Sequence, residues 1–257
     1  MHPTLVVIAE AADVTASPWR FQAHPEVWLL VAFVVGAWFY ALRMIAPHTP
    51  EVRAGAPVIT RRQAWLFTGA VAMLWLSSDW PIHDISEEYL YSVHMFQHMA
   101  LSYFLPPLVL LATPEWLFRA VIGSQRVGRV LRWFAKPVIA GLLFNLVVMI
   151  THIPDLVNRS VSNGLLHYSL HVMLVVSSLL MWTPVVAPDR TMRIGYGARM
   201  VYLFLMSVVP TVPAAWLTFA EGAVYKHYDI AIRVWGLSVT TDQQIADRKS
   251  TRLNSSH

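Results

Sequence analysis

LLHYSLHVMLVVSSLLMWTPVVA, residues 165–187, runs for 23 residues without a charged side chain. As a helix rising 1.5 Å per residue it reaches about 34 Å, enough to cross a hydrocarbon core about 30 Å thick. Working outward in both directions, the same kind of run recurs at 27–45, 64–80, 89–113, 138–151 and 200–220. The fourth is short unless it extends through Pro137 or His152. Apolar residues make up 56% of the chain and charged residues 13%, with mean hydropathy +0.49. The expected fold is therefore all-α, a polytopic transmembrane bundle with six helices visible, forming one domain over residues 1–246. The first sixteen residues have no positively charged start and only a short apolar stretch, so the first span is expected to do the targeting. No internal repeat, low-complexity tract or glycine-rich phosphate loop is present, and the short connections leave the chemistry to the helices and their rims.

Basic residues alternate from one connection to the next. Segments 43–62, 114–136 and 188–199 hold 12 basic against 3 acidic residues, whereas 1–26, 79–88, 152–164 and 221–244 hold 4 basic against 11 acidic. Cytoplasmic loops are enriched in Lys and Arg, which places the first set inside and the N-terminus outside. The net charge of +4 then reflects topology, not affinity for nucleic acid. On this topology His24, His83, His94, His98, His152, His167, His171 and His227 lie at or near the outer surface, and His48 lies at the inner one. The chain has no cysteine, which removes disulfides and thiolate metal sites together.

Two histidine pairs stand out from this set. His94 and His98 are four apart on one helix, as are His167 and His171, so each pair projects from one face a turn apart. Both pairs fall in the outer third of their spans, and His152 ends another span at the same level. Ionisable groups in a span are costly enough to need a reason, and clustered imidazole with thioether suits copper. The expected ligands are His94, His98, His152, His167, His171 and Met99. Asp84, Asp155 and Gln97 are expected to hold the ligand rings from behind, with Asp79 a further carboxylate in reach. Single histidines near an interface serve commonly as anchors, the reading given to His24, His83 and His227. Methionines 149, 173, 181, 200 and 206 read as packing or lipid-facing filler, and the tryptophans at 28, 80, 116, 133, 182 and 216 as interfacial.

The run His94-Met-Phe-Gln-His98 differs from the zinc-protease pattern HExxH in having Gln97 where a general base is needed, so peptide hydrolysis is unsupported. Haem ligation by facing histidines is the alternative, as in a membrane redox protein acting on haem or quinone. Four-residue spacing within one helix suits a single small ion better. A scaffold whose histidines only hydrogen-bond is a third reading.

Larger blocks carry a resemblance. His94-Met-Phe-Gln-His98-Met-Ala-Leu, followed by Pro106-Pro107-Leu-Val-Leu-Leu-Ala-Thr-Pro114, resembles the signature of the membrane-integral CtaG family of cytochrome c oxidase assembly factors. Thr151-His152-Ile-Pro154-Asp155, His167-x-x-x-His171, Trp182-x-Pro184 and Asp242-Gln243-Gln244 match in order, from about residue 75 to 246. The resemblance implies a non-enzymatic, multi-pass factor of the bacterial plasma membrane that passes copper by ligand exchange to cytochrome c oxidase subunits. In the family the Asp-Gln-Gln segment leads into a seventh helix. Here residues 247–257 are polar, so that helix is expected to be lost and the tail to be non-native.

Overall fold

The computed structural model describes residues 19–123, 125–161, 163–211, 215, 224–228, 238, 241–243 and 245. Among these all regular structure is helical. Helix α1, Pro25–Tyr40, opens with a proline whose missing N–H is harmless in a first turn. It runs on through a wide turn, Ala41–Ile45, and a tight one, Ala46–His48, giving 24 helical residues. Helix α2, Arg61–Ser78, begins at a capping box in which Thr60 Oγ1 accepts from Gln63 N and Gln63 Oε1 accepts from Thr60 N. Helix α3 spans Tyr91–Ala112 with a wide turn at Ala100–Phe104 in its middle. Helices α4, Glu115–Ile122, and α5, Gln125–Phe134, follow, then α6, Pro137–Thr151, and α7, Pro154–Val161. Helix α8, Gly164–Val186, is capped by Asn163 Oδ1, and α9, Tyr196–Val208, ends the described bundle.

Pro25–His48, Tyr91–Ala112 and Gly164–Val186 are long and apolar enough to cross a membrane, and a fourth span results if α5 and α6 count as one broken element bent by 71°. Each of the six expected runs overlaps a helix, but α2 and α9 do not meet the same criterion of length and apolar character over the described residues. The sixth run, 200–220, is followed only through α9. Most of it beyond Thr211 lies outside the described residues, as does the tail 247–257.

The basic segment 114–136, read from sequence as a connection, is largely helical. In α5, Arg126, Arg129 and Arg132 occupy one face and Val127, Val130, Leu131 and Phe134 the other. A strongly two-sided helix set at 71° to a span suits the bilayer surface.

The bundle places α8 between α3 and α6, with α2 on the far side of α3 and α1 against α2. Phe144, Val147 and Val148 of α6, Leu174, Met181 and Val185 of α8, and Tyr202 and Met206 of α9 form the largest core cluster. Outside it the surface is apolar: Phe33, Val138, Leu165 and Met200 are all more than 70% exposed. A water-soluble chain does not present that surface, whereas lipid is an adequate solvent for it. Met181 and Met206 are packing residues and Met200 faces outward. Trp116 and Trp182 depart from the interfacial reading: Trp116 is buried and donates to the Val58 carbonyl, and Trp182 donates to the Ser102 carbonyl.

Candidate metal centre

Two turns at the start of α3 carry His94 and His98, and two turns at the start of α8 carry His167 and His171. Because α3 and α8 pack side by side, the pairs face each other at one end of the bundle. His98 and His171 bring their Nε2 atoms to 3.1 Å. His94 lies beside them, its ring centroid 4.4 Å from that of His98 and 6.1 Å from that of His171. Each of these three rings offers a nitrogen within 4.8 Å of the other two. Ligand nitrogens about 2.0 Å from a common metal stand about 3.3–3.5 Å apart, so a small contraction or expansion completes a three-imidazole site. His94 is buried and its Nδ1 has no hydrogen-bond partner among the described residues. An orphaned buried nitrogen is uncommon, since a buried polar atom normally finds a partner.

His167 goes elsewhere. Its ring stands edge-on to His171, with centroids 4.3 Å apart, but its Nε2 lies 2.5 Å from Glu87 Oε1. Glu87 also meets His83 Nε2 at 3.2 Å. His83 and Glu87 belong to the helical turns Ile82–Asp84 and Ile85–Tyr89 that lead into α3. The expected single group of four paired histidines is thus divided into two adjacent trios, His94–His98–His171 and His83–Glu87–His167.

The remaining expected residues lie outside the two trios. His152 follows α6 and is tied by Nδ1 to the Val148 carbonyl at 2.7 Å, and it joins neither trio. Met99 is 41% exposed because its position on α3 turns it away from the face of His94 and His98. Asp155 is exposed at the start of α7 and holds no histidine among the described residues. Asp84 accepts from His24 Nε2 at 2.9 Å and so braces an anchor, not a clustered ring. Gln97 is buried, but behind His83: its Nε2 lies 3.3 Å from His83 Nδ1 and donates to the Ser77 carbonyl at 2.6 Å. Asp79 accepts from the indoles of Trp28 and Trp75, joining α1 to the end of α2.

Two contributors had no role assigned from the sequence. Glu87 stands four residues after His83, a spacing that signals one helical face once the segment is known to be helical. Asp242 caps α3. Leu90, at the cap position, has no side-chain acceptor, and Asp242 accepts from Tyr91 N at 2.7 Å and from Ser92 Oγ at 2.5 Å. Gln243 beside it accepts from Val224 N and donates to the Tyr225 carbonyl. The Asp-Gln pair therefore fastens the start of the histidine helix to residues 224 and 225.

Electrostatics at the rim follow from burial and pairing. Burial pulls the His24 imidazole down, but the hydrogen bond and charge of Asp84, with Glu26, outweigh it and leave His24 raised. Burial pushes the Asp84 carboxyl up beyond what His24 recovers. Burial pulls His83 down further than the Glu87 charge restores it.

A helical membrane protein with a buried imidazole cluster at one end of three neighbouring helical segments is the class these observations define. The family model described as cytochrome c oxidase caa3 assembly factor (Caa3_CtaG) matches residues 38–247, and the chain belongs to that family. No curated protein and no solved structure matches the chain significantly.

Proposed function

We propose that this cytochrome c oxidase assembly factor binds copper as cargo through His94, His98 and His171 and hands it by ligand exchange to an oxidase subunit docked alongside. The single observation that supports this reading is the convergence of three imidazoles, one with an orphaned buried nitrogen, from two packed helices. Three neutral nitrogen donors with no thiolate accept either copper state, and exchange requires no bond-making catalysis by the chain. The cluster lies toward the side expected, from the distribution of Lys and Arg, to face outward across a bacterial plasma membrane, with the N-terminus on that side.

Metal analysis of purified wild type beside a His98→Ala variant, with oxidase maturation followed in the same cells, tests the proposal. Copper occupancy and maturation should fall together in His98→Ala, and a His48→Ala variant should lose neither. Full copper loading with lost maturation would make His98 part of a docking surface and overturn the copper assignment. Absorption near the Soret region in the purified protein would overturn it in favour of haem.

A further inference from the structure

We propose that His83, Glu87 and His167 form a second metal site, for a divalent transition-metal ion, beside the three-imidazole cluster. Glu87 Oε1 lies 3.2 Å from His83 Nε2 and 2.5 Å from His167 Nε2, and all three ligand atoms fall within 4.8 Å of one another. Both contacts are at ion-pair distance, and Glu87 Oε1 and His167 Nε2 are buried atoms without a well-aligned hydrogen-bond partner among the described residues. Buried donors and acceptors this close normally align. Two imidazole nitrogens and a carboxylate oxygen converging on one buried point are a donor set that one ion can share, once the Glu87–His167 contact opens by about 1 Å to admit it.

The surroundings hold the three side chains in place. The Glu87 carbonyl accepts from His227 Nε2 at 2.9 Å, and the neighbouring Ser86 carbonyl accepts from the Tyr228 hydroxyl at 2.9 Å. Ser86 Oγ donates to the His83 carbonyl at 2.7 Å, so the turn carrying two of the three ligands is braced on both sides. His167 is fixed by the first turn of α8. His83 Nδ1 lies 3.3 Å from the Gln97 amide nitrogen, which positions the ring from behind.

Donor chemistry separates this site from its neighbour. Two imidazoles and one carboxylate are a harder set than three imidazoles, and they carry a negative charge that favours a divalent ion over a monovalent one. His167 stands between the sites, its ring centroid 6.0 Å from that of His83 and 6.2 Å from that of His94. The two sites are therefore stations a few ångströms apart at one end of the bundle.

The inference rests on the copper reading for its neighbour but not for its own ligands, and one titration distinguishes them. Full-length protein in detergent, stripped of metal, is equilibrated with Cu(II), desalted and analysed. Size-exclusion profile and tryptophan fluorescence verify folding. Wild type should retain about two equivalents, and Glu87→Gln and His83→Ala should each retain about one. His98→Ala should also retain about one, losing the other ion. Wild-type loading in both Glu87→Gln and His83→Ala would overturn the second site and leave an ion pair in its place. Complete loss of copper in either would overturn it in favour of one shared site. Wild-type loading in His98→Ala with a loss in Glu87→Gln would sustain the second site and remove the first.

Discussion

Asp79 shows how one carboxylate joins two helices and makes that junction sensitive to acid. Burial pushes its carboxyl up, but N–H donors from Trp28 at 2.8 Å, Trp75 at 2.5 Å and the Trp80 backbone at 2.9 Å hold it below the usual carboxylate range. A folded-state value below the unfolded one, about 3.9, means that the unfolded chain binds more protons in that interval. The stabilisation is present above the unfolded value and is lost as pH falls through the folded one. Thermal unfolding in detergent should show wild type losing its advantage over Asp79→Asn as pH drops below about 4. A constant difference between the two from pH 7 down to pH 3 would contradict this account. At the same scale the histidines divide by legibility. The i, i+4 spacing of His94 with His98 and of His167 with His171 was readable because helical periodicity follows from sequence alone. Assigning His167 to Glu87 was not, because it depends on a helical turn at Ile82–Tyr89 that no apolar pattern announces.

Among the elements, α3 carries the clearest conflict between local sequence and helix geometry. Pro106 has no N–H to offer the Ser102 carbonyl four residues earlier, and the expected disruption takes the form of a wide turn at Ala100–Phe104. Trp182 of α8 donates its indole N–H to that same Ser102 carbonyl at 3.2 Å. The proline defect in one helix is thus repaired by its neighbour, which also aligns the two helices whose first turns bear the histidines. Replacing Trp182 by Phe keeps most of the packing and leaves the carbonyl unpaired in an apolar setting. It should cost about 1–3 kcal/mol in detergent unfolding measurements. An unchanged unfolding midpoint would show that the carbonyl finds another donor. Pro106 and Pro107 weaken the helix from within its own sequence, but the residue that relieves it lies 80 positions away in the chain.

Over the whole molecule, the sign of charge separates the two ends of the bundle. The end bearing α4, α5 and the segment before α9 is rich in arginine, and the end bearing the histidine trios holds Glu26, Asp79, Asp84, Glu87 and Glu88. Since the chain has no cysteine, single-cysteine labelling reports each end without interference. Glu88→Cys should react with an impermeant reagent added to the outer side, and Arg129→Cys only after the membrane is opened. The opposite pattern would reverse the orientation and place the metal cluster on the cytoplasmic side.

Helical class, the positions of the apolar runs and the family were legible in the sequence. Each depends on local periodicity, hydropathy or a contiguous motif, and lipid imposes those patterns on every span. The block from His94 to Pro114 alone carried most of the resemblance. Tertiary structure decided the rest. It turned Met99 outward, left His152 on its own backbone, drew His83 and Glu87 to His167, and brought Asp242 across 151 residues to cap Tyr91. Those outcomes follow from how α3, α8 and the turn before α3 pack. Which faces meet is a property of the assembled helices, and no spacing along one strand of sequence contains it.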